Sequence, residues 1–439
     1  MATRQLHLGA FLMESGHHLA AWRDPGVPER AGLDFGLYRR VAQTAESALF
    51  DLVFFADSVA VEEGPGAERF SRSARFEPLT LLSALAAVTD RIGLVGTVTA
   101  TYNEPYHVAR KFASLDHLSG GRSGWNLVTS DNASEAGNFG RDVHVGHADR
   151  YARAAEFLRV VRGLWDSWDD DAFINDRASG LYYRLEGRHV LAHEGEHFRV
   201  RGPLNVARSP QGQPVVVQAG ASEAGRQLAG ASAELVFTAQ PTLQAAQAFY
   251  ADLKSRAEVA GRPADAIKIL PGVYAVVGES RAEAEDKQAA LQALVDPAAA
   301  VGLLSRMIGN FDLSGYPLDE PLPELPLTET GQRSRQQLLS GLARDGQLTL
   351  RQLALKIAGG RGHLSLVGTA SDVADVLQQW FEQGAADGFN VMPPTLPAGL
   401  HDFARLVVPE LQRRGLFRTR YDGYTLREHL GLRRPQRAS

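Results

Sequence analysis

The sequence predicts an α/β protein with the (β/α)8 TIM-barrel fold. Short apolar runs, typical of buried strands, alternate with longer segments of helical periodicity. About eight such strand–helix units can be counted, which is the number that closes a barrel of this type. The chain has 439 residues, of which 44% are hydrophobic and 22% charged, so it is long enough and apolar enough for one large barrel with insertions.

The predicted strands are short apolar runs, most of them followed by polar or small residues. They are Leu6–Met13, Leu52–Ala56, Ile92–Val98, Gly124–Val128, Pro214–Gln218, Leu235–Thr238, Ile267–Val277 and Phe389–Met392. The clearest helices carry apolar residues at intervals of three and four. They are Leu33–Phe50, Leu79–Val88, Tyr106–Leu118, Arg150–Trp165 and Asp372–Gln383.

Two segments exceed what a minimal barrel needs, one after the fourth strand and one after the seventh. Residues from about 173 to 210 contain a hairpin-like run, His189–Val200, in place of a helix. Residues from about 296 to 362 include the proline-rich run Tyr316–Leu327, and we expect this insertion to form a lid. We therefore predict one barrel domain over residues 1–432 and a disordered basic tail at 433–439.

Composition excludes several classes of function. A net charge of −5 gives no indication of a nucleic-acid partner. No apolar run approaches the roughly 20 residues of a membrane helix, and the N-terminus has no secretory signal, so we expect a cytoplasmic protein without a membrane partner. The absence of cysteine excludes disulfides, thiolate metal sites and a cysteine nucleophile.

One motif matches a zinc-protease pattern but does not fit its chemistry. His193–His197 reads HEGEH, and zinc binding would need both histidines on one face of a helix. Gly195 interrupts the run and strand-like residues flank it, so a β-turn is the better interpretation. We therefore expect no metal. The chain also lacks a dinucleotide-binding fingerprint and a P-loop.

Polar residues at the carboxyl ends of the predicted strands are the candidates for chemistry, because those ends form the active-site rim of such barrels. His147 and Tyr151 flank the start of a long helix, four residues apart and on one face. Gly220, Ala221 and Ser222 precede another helix, where free N–H groups suit a phosphate or carboxylate. Plain capping by Ser222 is the alternative. The remaining candidates are His17, His18, Asp57, Thr101, Asn126 and Ser130.

Longer motifs identify a family. The chain resembles the bacterial-luciferase-like flavin monooxygenases, in the branch of nitrilotriacetate, dibenzothiophene-sulfone and long-chain alkane monooxygenases. The resemblance covers nearly the whole chain in order. It is carried by Phe54–Ser58, Glu104–Arg110, Phe112–Arg122, Gly124–Ser130, Asp149–Tyr151, Gly202–Asn205, Gln218–Ser222, Gly384–Phe389, Val407–Gln412 and Tyr421–Arg427.

The resemblance implies a barrel that binds reduced FMN in its mouth. A separate NAD(P)H:flavin reductase would supply the FMNH2, and O2 would oxygenate a small organic substrate, often with cleavage of a C–N or C–S bond. It also implies a homodimer or homotetramer, which apolar residues of Phe403–Leu411 would favour. By motif match, the flavin contacts are Asp57, Thr101, Asn126, Ser130, His147, Tyr151, Gly220, Ala221 and Ser222.

Three points stay open at the level of sequence. Alkane-oxidising members carry a histidine where this chain has Asp131, which argues against an alkane substrate. His17 or His18 would be the catalytic group nearest the reacting end, or both would only order the loop around Trp22. The alternatives for function are an F420-dependent oxidoreductase of the same fold and a flavin-binding protein without turnover.

Overall fold

Parallel strands form one large sheet in the computed structural model, which describes residues 4–61, 63, 67–69, 71–327 and 333–437. The strands are β1 (His7–Leu12), β2 (Leu52–Phe55), β3 (Gly93–Thr99), β4 (Ser123–Val128), β5 (His193–Glu194), β6 (Arg199–Val200), β7 (Val215–Gln218), β8 (Leu235–Thr238), β9 (Lys268–Val277), β10 (Leu364–Gly368) and β11 (Gly388–Met392).

The sheet closes into the predicted barrel. Its order is β1-β2-β3-β4-β7-β8-β9-β11, and β11 completes the ring by pairing with both β1 and β9. The pairs His7↔Gly388 and Asn390↔Gly272 set the register of this closure. All eight strands match the predicted runs to within one residue at either end, because strands buried on both faces read as continuous apolar sequence.

A ninth strand was not predicted. β10 pairs with the outer half of β9, from Leu364↔Val273 to Gly368↔Val277. Its burial pattern leaves the middle of the strand exposed or half-buried, so it carries neither a continuous apolar run nor a clear alternation.

Helices cover the outside of the barrel. They are α1 (Phe35–Ser47), α2 (Pro78–Ala86), α3 (Pro105–Ser119), α4 (His147–Trp165), α5 (Glu223–Ser232), α6 (Leu243–Val259), α7 (Arg281–Ala293), α8 (Pro297–Met307), α9 (Arg333–Asp345), α10 (Leu350–Gly360), α11 (Ala370–Glu382), α12 (Ala398–Asp402), α13 (Val408–Arg413) and α14 (Leu426–His429), with a π-helical turn at Phe403–Val407. No helix in the described ranges combines the length and apolar character needed to cross a membrane.

Side chains of each strand alternate between two apolar layers. Trp125 of β4 is fully buried between the barrel and the helices, within 6.0 Å of the Phe112 ring and 5.8 Å of the Phe157 ring, measured between centroids. The next residue, Asn126, therefore points into the barrel. Leu426 of α14 and Leu430, which directly follows that helix, join the inner layer and fill the end of the barrel opposite the mouth.

The HEGEH segment is a β-hairpin, as predicted. β5 and β6 pair antiparallel, and the carboxylate of Glu156 on α4 accepts from His193 Nε2 at 2.9 Å and from two backbone N–H groups of the turn, those of His197 and Phe198. A Cβ at Gly195 would lie 2.1 Å from Glu156 Oε1, so only glycine permits this approach. No described group of His, Asp or Glu side chains is placed to hold a metal ion, and metal independence stays a prediction.

The second insertion is mostly helical. Only residues 316–327 match the expected extended segment, while α8, α9 and α10 enclose an apolar cluster of their own that includes Leu304, Leu353 and Ile357. Leu19, from the loop after β1, is buried in the same cluster. This contact holds the insertion against the carboxyl end of β1.

Two expectations need correction. Residues 433–437 are not a disordered tail, because Arg434 pairs with Asp170 and Arg208 donates to the carbonyl of Pro435 at 2.7 Å. The last two residues of that prediction lie outside the described residues. The segment Phe403–Leu411 gives no argument for an oligomer, because three of its apolar side chains, those of Phe403, Val407 and Leu411, are fully buried within the chain.

We expect Glu156→Gln to lower the free energy of unfolding by about 2 kcal/mol, because a charged acceptor of three hydrogen bonds is lost. These bonds lower the pKa of Glu156 from 4.5 to about 2. The stabilisation is therefore present above pH 4.5 and lost as the pH falls towards 2. Urea titrations at pH 7 and pH 3 measure both effects. Glu194→Gln, at an exposed position of the same hairpin, is the control, and an equal loss in it would contradict the assignment.

Candidate active site

The carboxyl ends of the barrel strands surround an aromatic floor. The ring of Phe11 on β1 lies 4.9 Å from that of Phe54 on β2 and 5.2 Å from that of Phe237 on β8. All three side chains belong to the inner layer of the barrel. Polar side chains from the loops stand around this floor, so a ligand in the mouth would have an apolar base and a polar rim.

Asn126 supplies an unpaired acceptor inside the barrel. Its Nδ2 donates to Thr97 Oγ1 at 2.8 Å, and Thr97 in turn donates to the carbonyl of Phe55 at 2.8 Å. These two bonds fix the orientation of the amide. Asn126 Oδ1 is buried and accepts no hydrogen bond from the described part of the chain. A buried acceptor of this kind is costly unless a ligand donates to it.

Thr101 and Ser130 lie together at the ends of β3 and β4. Thr101 donates to the carbonyl of Thr129 at 2.8 Å, and the Ser130 hydroxyl lies 2.8 Å from Thr99 Oγ1. Ser130 has a left-handed backbone with φ of +48°, which is uncommon for a residue other than glycine. Such conformations persist where the surrounding structure imposes them, often at functional sites.

Asp57 lies in a group of partly buried charges at the end of β2. Arg75 bonds Glu14 at 3.3 Å and lies 3.9 Å from Asp57, so one guanidinium serves two carboxylates. Burial raises the pKa of Asp57 from 3.8 to about 6, and Arg75 offsets only part of this shift. Nearby carboxylates, those of Glu77 and Glu135, add to the rise.

The start of α5 forms an anion cradle. Ser222 Oγ caps the helix by accepting from Gly225 N at 3.2 Å and donates to Tyr151 Oη at 3.3 Å. A Cβ at Gly225 would lie 3.1 Å from Tyr151 Oη, and one at Gly220 would lie 3.4 Å from the same atom. The two glycines therefore let both hydroxyls meet beside the free N–H groups of the first helical turn.

Three further residues stand next to this cradle. His147 packs against Tyr151, with 4.8 Å between ring centroids, and burial together with Arg150 lowers the pKa of His147, so its ring is neutral at pH 7. Ala221 is half-buried and contacts the apolar cluster beneath α5. Arg150 is buried, its Nε makes no hydrogen bond among the described residues, and its charge lies beside Tyr151.

Both candidate catalytic histidines are hydrogen bonded within the chain at both ring nitrogens. His17 Nε2 donates to the carbonyl of Phe11 at 2.9 Å, and its Nδ1 accepts from Arg361. His18 Nε2 donates to Gln292 Oε1 at 3.0 Å, and its Nδ1 accepts from the backbone N–H of Ala20 at 3.2 Å. Burial lowers the pKa of both rings, so both are neutral. This geometry favours positioning roles, and a catalytic role stays a prediction.

Two groups at the mouth were missed at the level of sequence. Tyr102, stacked on Phe139 at 4.6 Å, donates to His144 Nδ1 at 2.7 Å, and His144 Nε2 donates to the carbonyl of Ser130 at 3.2 Å. This chain of bonds fixes the loop after β4. The second group contains Arg361 and Arg335, which come from the insertion. Nothing in their local sequence distinguishes them from surface arginines.

We expect Asp57→Asn to raise the free energy of unfolding at pH 8 by about 1–2 kcal/mol. The folded state raises the pKa of Asp57, so stability present below pH 3.8 is lost as the pH rises through 6. The neutral amide of the variant avoids this loss. The difference in free energy of unfolding between the variant and wild type should therefore be smaller at pH 5 than at pH 8. Thermal or urea unfolding at the two pH values measures it.

Asp387→Asn is the matched control. Asp387 is also buried, but Lys254 at 2.9 Å and Arg4 at 2.8 Å lower its pKa. Its stabilisation is therefore present above pH 3.8, and the asparagine variant should be less stable than wild type at pH 8. A destabilising Asp57→Asn at pH 8 would contradict the electrostatic assignment.

Comparisons with known proteins agree with this arrangement. The family model described as luciferase-like monooxygenase matches residues 14–387. Nitrilotriacetate monooxygenase component A of Aminobacter aminovorans is 49% identical over 99% of this chain and 98% of its own. N-acetyl-S-(2-succino)cysteine monooxygenase of Bacillus subtilis (strain 168) is 47% identical over 98% of each chain.

A solved structure matches the whole barrel. It is a riboflavin lyase with modified FMN and the substrate riboflavin, and it superimposes with a TM-score of 0.88 at 33% identity over 97% of this chain and 96% of that one. The matches to the family model, to the relatives and to this solved structure all extend across the strands that carry the candidate site. The chain belongs to the luciferase-like monooxygenase family.

Proposed function

We propose that this chain is the oxygenating component of a two-component, FMN-dependent monooxygenase. The observation that carries the proposal is the pairing of the cradle at α5 with the unpaired Oδ1 of Asn126 on the same rim. The cradle suits a phosphate, and the Oδ1 atom of Asn126 suits an N–H donor of a ring. FMN carries both groups. The relatives named as monooxygenases and the FMN in a similar solved structure support the assignment.

The residues present fit the cofactor. Ser222, Tyr151 and the first turn of α5 would hold the phosphate, with the Arg150 charge beside them. Asn126 would accept from the ring, and Thr101 and Ser130 lie between these two ends on β3 and β4. Reduced FMN, when bound, supplies the electrons by which one atom of O2 enters the substrate and the other becomes water.

Asp57 would change its hydrogen-bonding capacity within the working pH range. With a pKa of about 6, its carboxyl gains a proton on mild acidification, when it becomes a donor as well as an acceptor. Above that pH it is an anion held by Arg75. We propose that the ionised form accepts from a bound ring or ribityl group.

The chain also provides the means to exclude water from the mouth. The floor is aromatic, and the insertion of residues 296–362 is anchored above β1 through Leu19. A dry site strengthens the polar contacts made inside it and prevents loss of reactive oxygen species to water. We propose that this insertion is the lid.

The remaining assignments complete the proposal. The substrate is a small organic molecule, oxygenated with cleavage of a C–N or C–S bond, and a separate NAD(P)H:flavin reductase supplies FMNH2. Nitrilotriacetate and N-acetyl-S-(2-succino)cysteine, in the names of the relatives, contain such bonds. A homodimer or homotetramer and a cytoplasmic location remain part of the proposal, as does activity without a metal.

We expect Ser222→Asp to weaken FMN binding by at least tenfold, because a carboxylate would face the phosphate; each tenfold corresponds to about 1.4 kcal/mol. Aspartate is as good a helix cap as serine, so folding should be preserved. Quenching of flavin fluorescence measures the affinity. Thr349→Asp, at the cap of α10, introduces the same charge on a helix outside the cradle and should leave FMN binding unchanged.

Turnover tests the activity itself. With a generic flavin reductase, NADH and FMN, oxygen uptake should rise above that of free FMNH2 when a substrate is present. Tight binding of reduced F420 in place of FMNH2 would instead support the F420-dependent alternative. Flavin binding with no oxygen uptake across a broad set of amines and thioethers would support a binding protein without turnover.

A further inference from the structure

Two arginines of the insertion lie over the mouth of the barrel. Arg361 follows the end of α10, donates from Nη2 to His17 Nδ1 and lies 3.4 Å from Met13 Sδ at the end of β1. Arg335 of α9 donates to the backbone carbonyl of Arg361 at 2.8 Å. This bond ties Arg335 to the backbone of Arg361. The ring of His17, which the Arg361 guanidinium contacts, packs on Phe11 of the aromatic floor with 4.5 Å between ring centroids.

Neither guanidinium is neutralised by a carboxylate within the described ranges. The ion pairs of the mouth join Arg75 to Glu14 and Asp57, and none of the described carboxylates lies within ion-pair distance of Arg361 or Arg335. The Nε atom of Arg361 is buried and has no hydrogen-bond partner there. Burying a charge without a counter-ion is expensive, so such a charge usually marks a place where a ligand supplies the counter-ion.

The pKa shifts of the groups around the two arginines also indicate that a counter-ion is missing. Burial and the neighbouring charges of Arg72 and Arg335 lower the pKa of Arg361, and burial lowers the pKa of Arg335 to about 10. Arg361 also lowers the pKa of both neighbouring histidines, His17 and His363, so these rings add no positive charge. The carboxylates of Glu14 and Asp131 oppose the pKa shifts of Arg361 and Arg335, respectively, but form no ion pair with them, so positive charge remains at this side of the mouth.

This side lies opposite the anion cradle. Arg361 contacts residues that follow β1, whereas Ser222 follows β7. In the ring of eight strands, β1 and β7 are separated by three strands in one direction, β2, β3 and β4, and by three in the other, β8, β9 and β11. A phosphate at the cradle is therefore across the mouth from the Arg361 guanidinium and cannot serve as its counter-ion.

We propose that Arg361 and Arg335 bind the carboxylates of an organic substrate that carries at least two such groups. This inference rests on the proposed function, because it names the substrate class of the same mouth. The planar guanidinium offers paired N–H donors that match a carboxylate, and two of them together favour a dicarboxylate over a single charge. Met13 and Phe11 beneath them would contact the carbon skeleton between the charged groups.

His17 acts in this proposal as a positioning residue. Its Nε2–H is fixed on the carbonyl of Phe11, so Nδ1 presents a lone pair to Arg361 and holds the guanidinium over the floor. A neutral ring is required for this contact, and burial ensures it by lowering the pKa of His17. The substrate would thereby be oriented with its charged groups at β1 and the rest of the molecule over the aromatic floor.

The test uses succinate and its uncharged diamide, succinamide, as probes of the full chain without flavin. In calorimetric titrations at pH 7.5, wild type should bind succinate and not succinamide. Arg361→Gln and Arg335→Gln should each weaken succinate binding at least tenfold, since a charge-assisted contact is lost. Arg351→Gln is the control, because it removes the same charge from α10 at an exposed ion pair with Asp319.

FMN affinity should stay within twofold of wild type in all of these variants. If Arg361→Gln does not fold, Arg361→Lys and Arg335→Gln carry the test, with lysine expected to retain part of the binding. Equal binding of succinamide, unchanged succinate binding in both glutamine variants, or preference of the same arginines for inorganic phosphate would overturn the proposal. A tenfold loss of FMN affinity in Arg361→Gln would do so as well.

Failure here is distinguishable from failure of the proposed function. The succinate titration contains no flavin, so it reports on the arginines alone. Absence of flavin-dependent oxygen uptake with every substrate would refute the monooxygenase while leaving the carboxylate site intact. Normal oxygen uptake with substrates that lack carboxylates, unaffected by Arg361→Gln, would refute the carboxylate site while leaving the monooxygenase intact.

Discussion

Closure of the parallel barrel through β11 determines where every functional group can lie. By pairing with β1 on one side and β9 on the other, β11 turns an open sheet into a ring, and all carboxyl ends then meet at one rim. The same closure puts β1 opposite β7. The two proposed anion sites, at the ends of these strands, therefore lie on opposite sides of the mouth. Within β4, side chains point alternately outward and inward. Because Trp125 is buried against the helices, its neighbour Asn126 points into the barrel.

Charge compensation differs between the two sides of the mouth. At β2 the charges are balanced within the chain, with Arg75 placed between Glu14 and Asp57. Beside β1 the insertion adds Arg361, which forms no ion pair with a described carboxylate and whose carbonyl accepts from Arg335, and burial keeps the adjoining His17 neutral. Burying the Arg361 charge without an ion pair lowers the stability of the fold. Such a cost is typical of a binding site rather than of a structural ion pair.

The local sequence was sufficient to predict those features that depend only on neighbouring residues. Strand positions followed from apolar runs, and the hairpin followed from Gly195, which alone allows the turn to approach Glu156. Features set by distant residues were not predictable. Arg434 is held by Asp170, 264 positions away, and by the carbonyl of Pro210, and Arg361 reaches His17 across 344 positions. The strand β10 exists only because the outer half of β9 offers it a partner.

The residues proposed to hold the cofactor and those proposed to hold the substrate belong to different parts of the chain. Asn126, Thr101 and Ser222 stand on the barrel strands or directly after them, so moving them would disturb the closure itself. The arginines stand on an insertion whose helices have their own apolar cluster and join the barrel through Leu19 and through the packing of α10 against Tyr274 of β9. Side chains of the insertion outside this cluster and outside these contacts can differ with little effect on the stability of the barrel. In these two proposals, cofactor binding depends on residues of the barrel itself, and substrate choice depends on residues of the insertion.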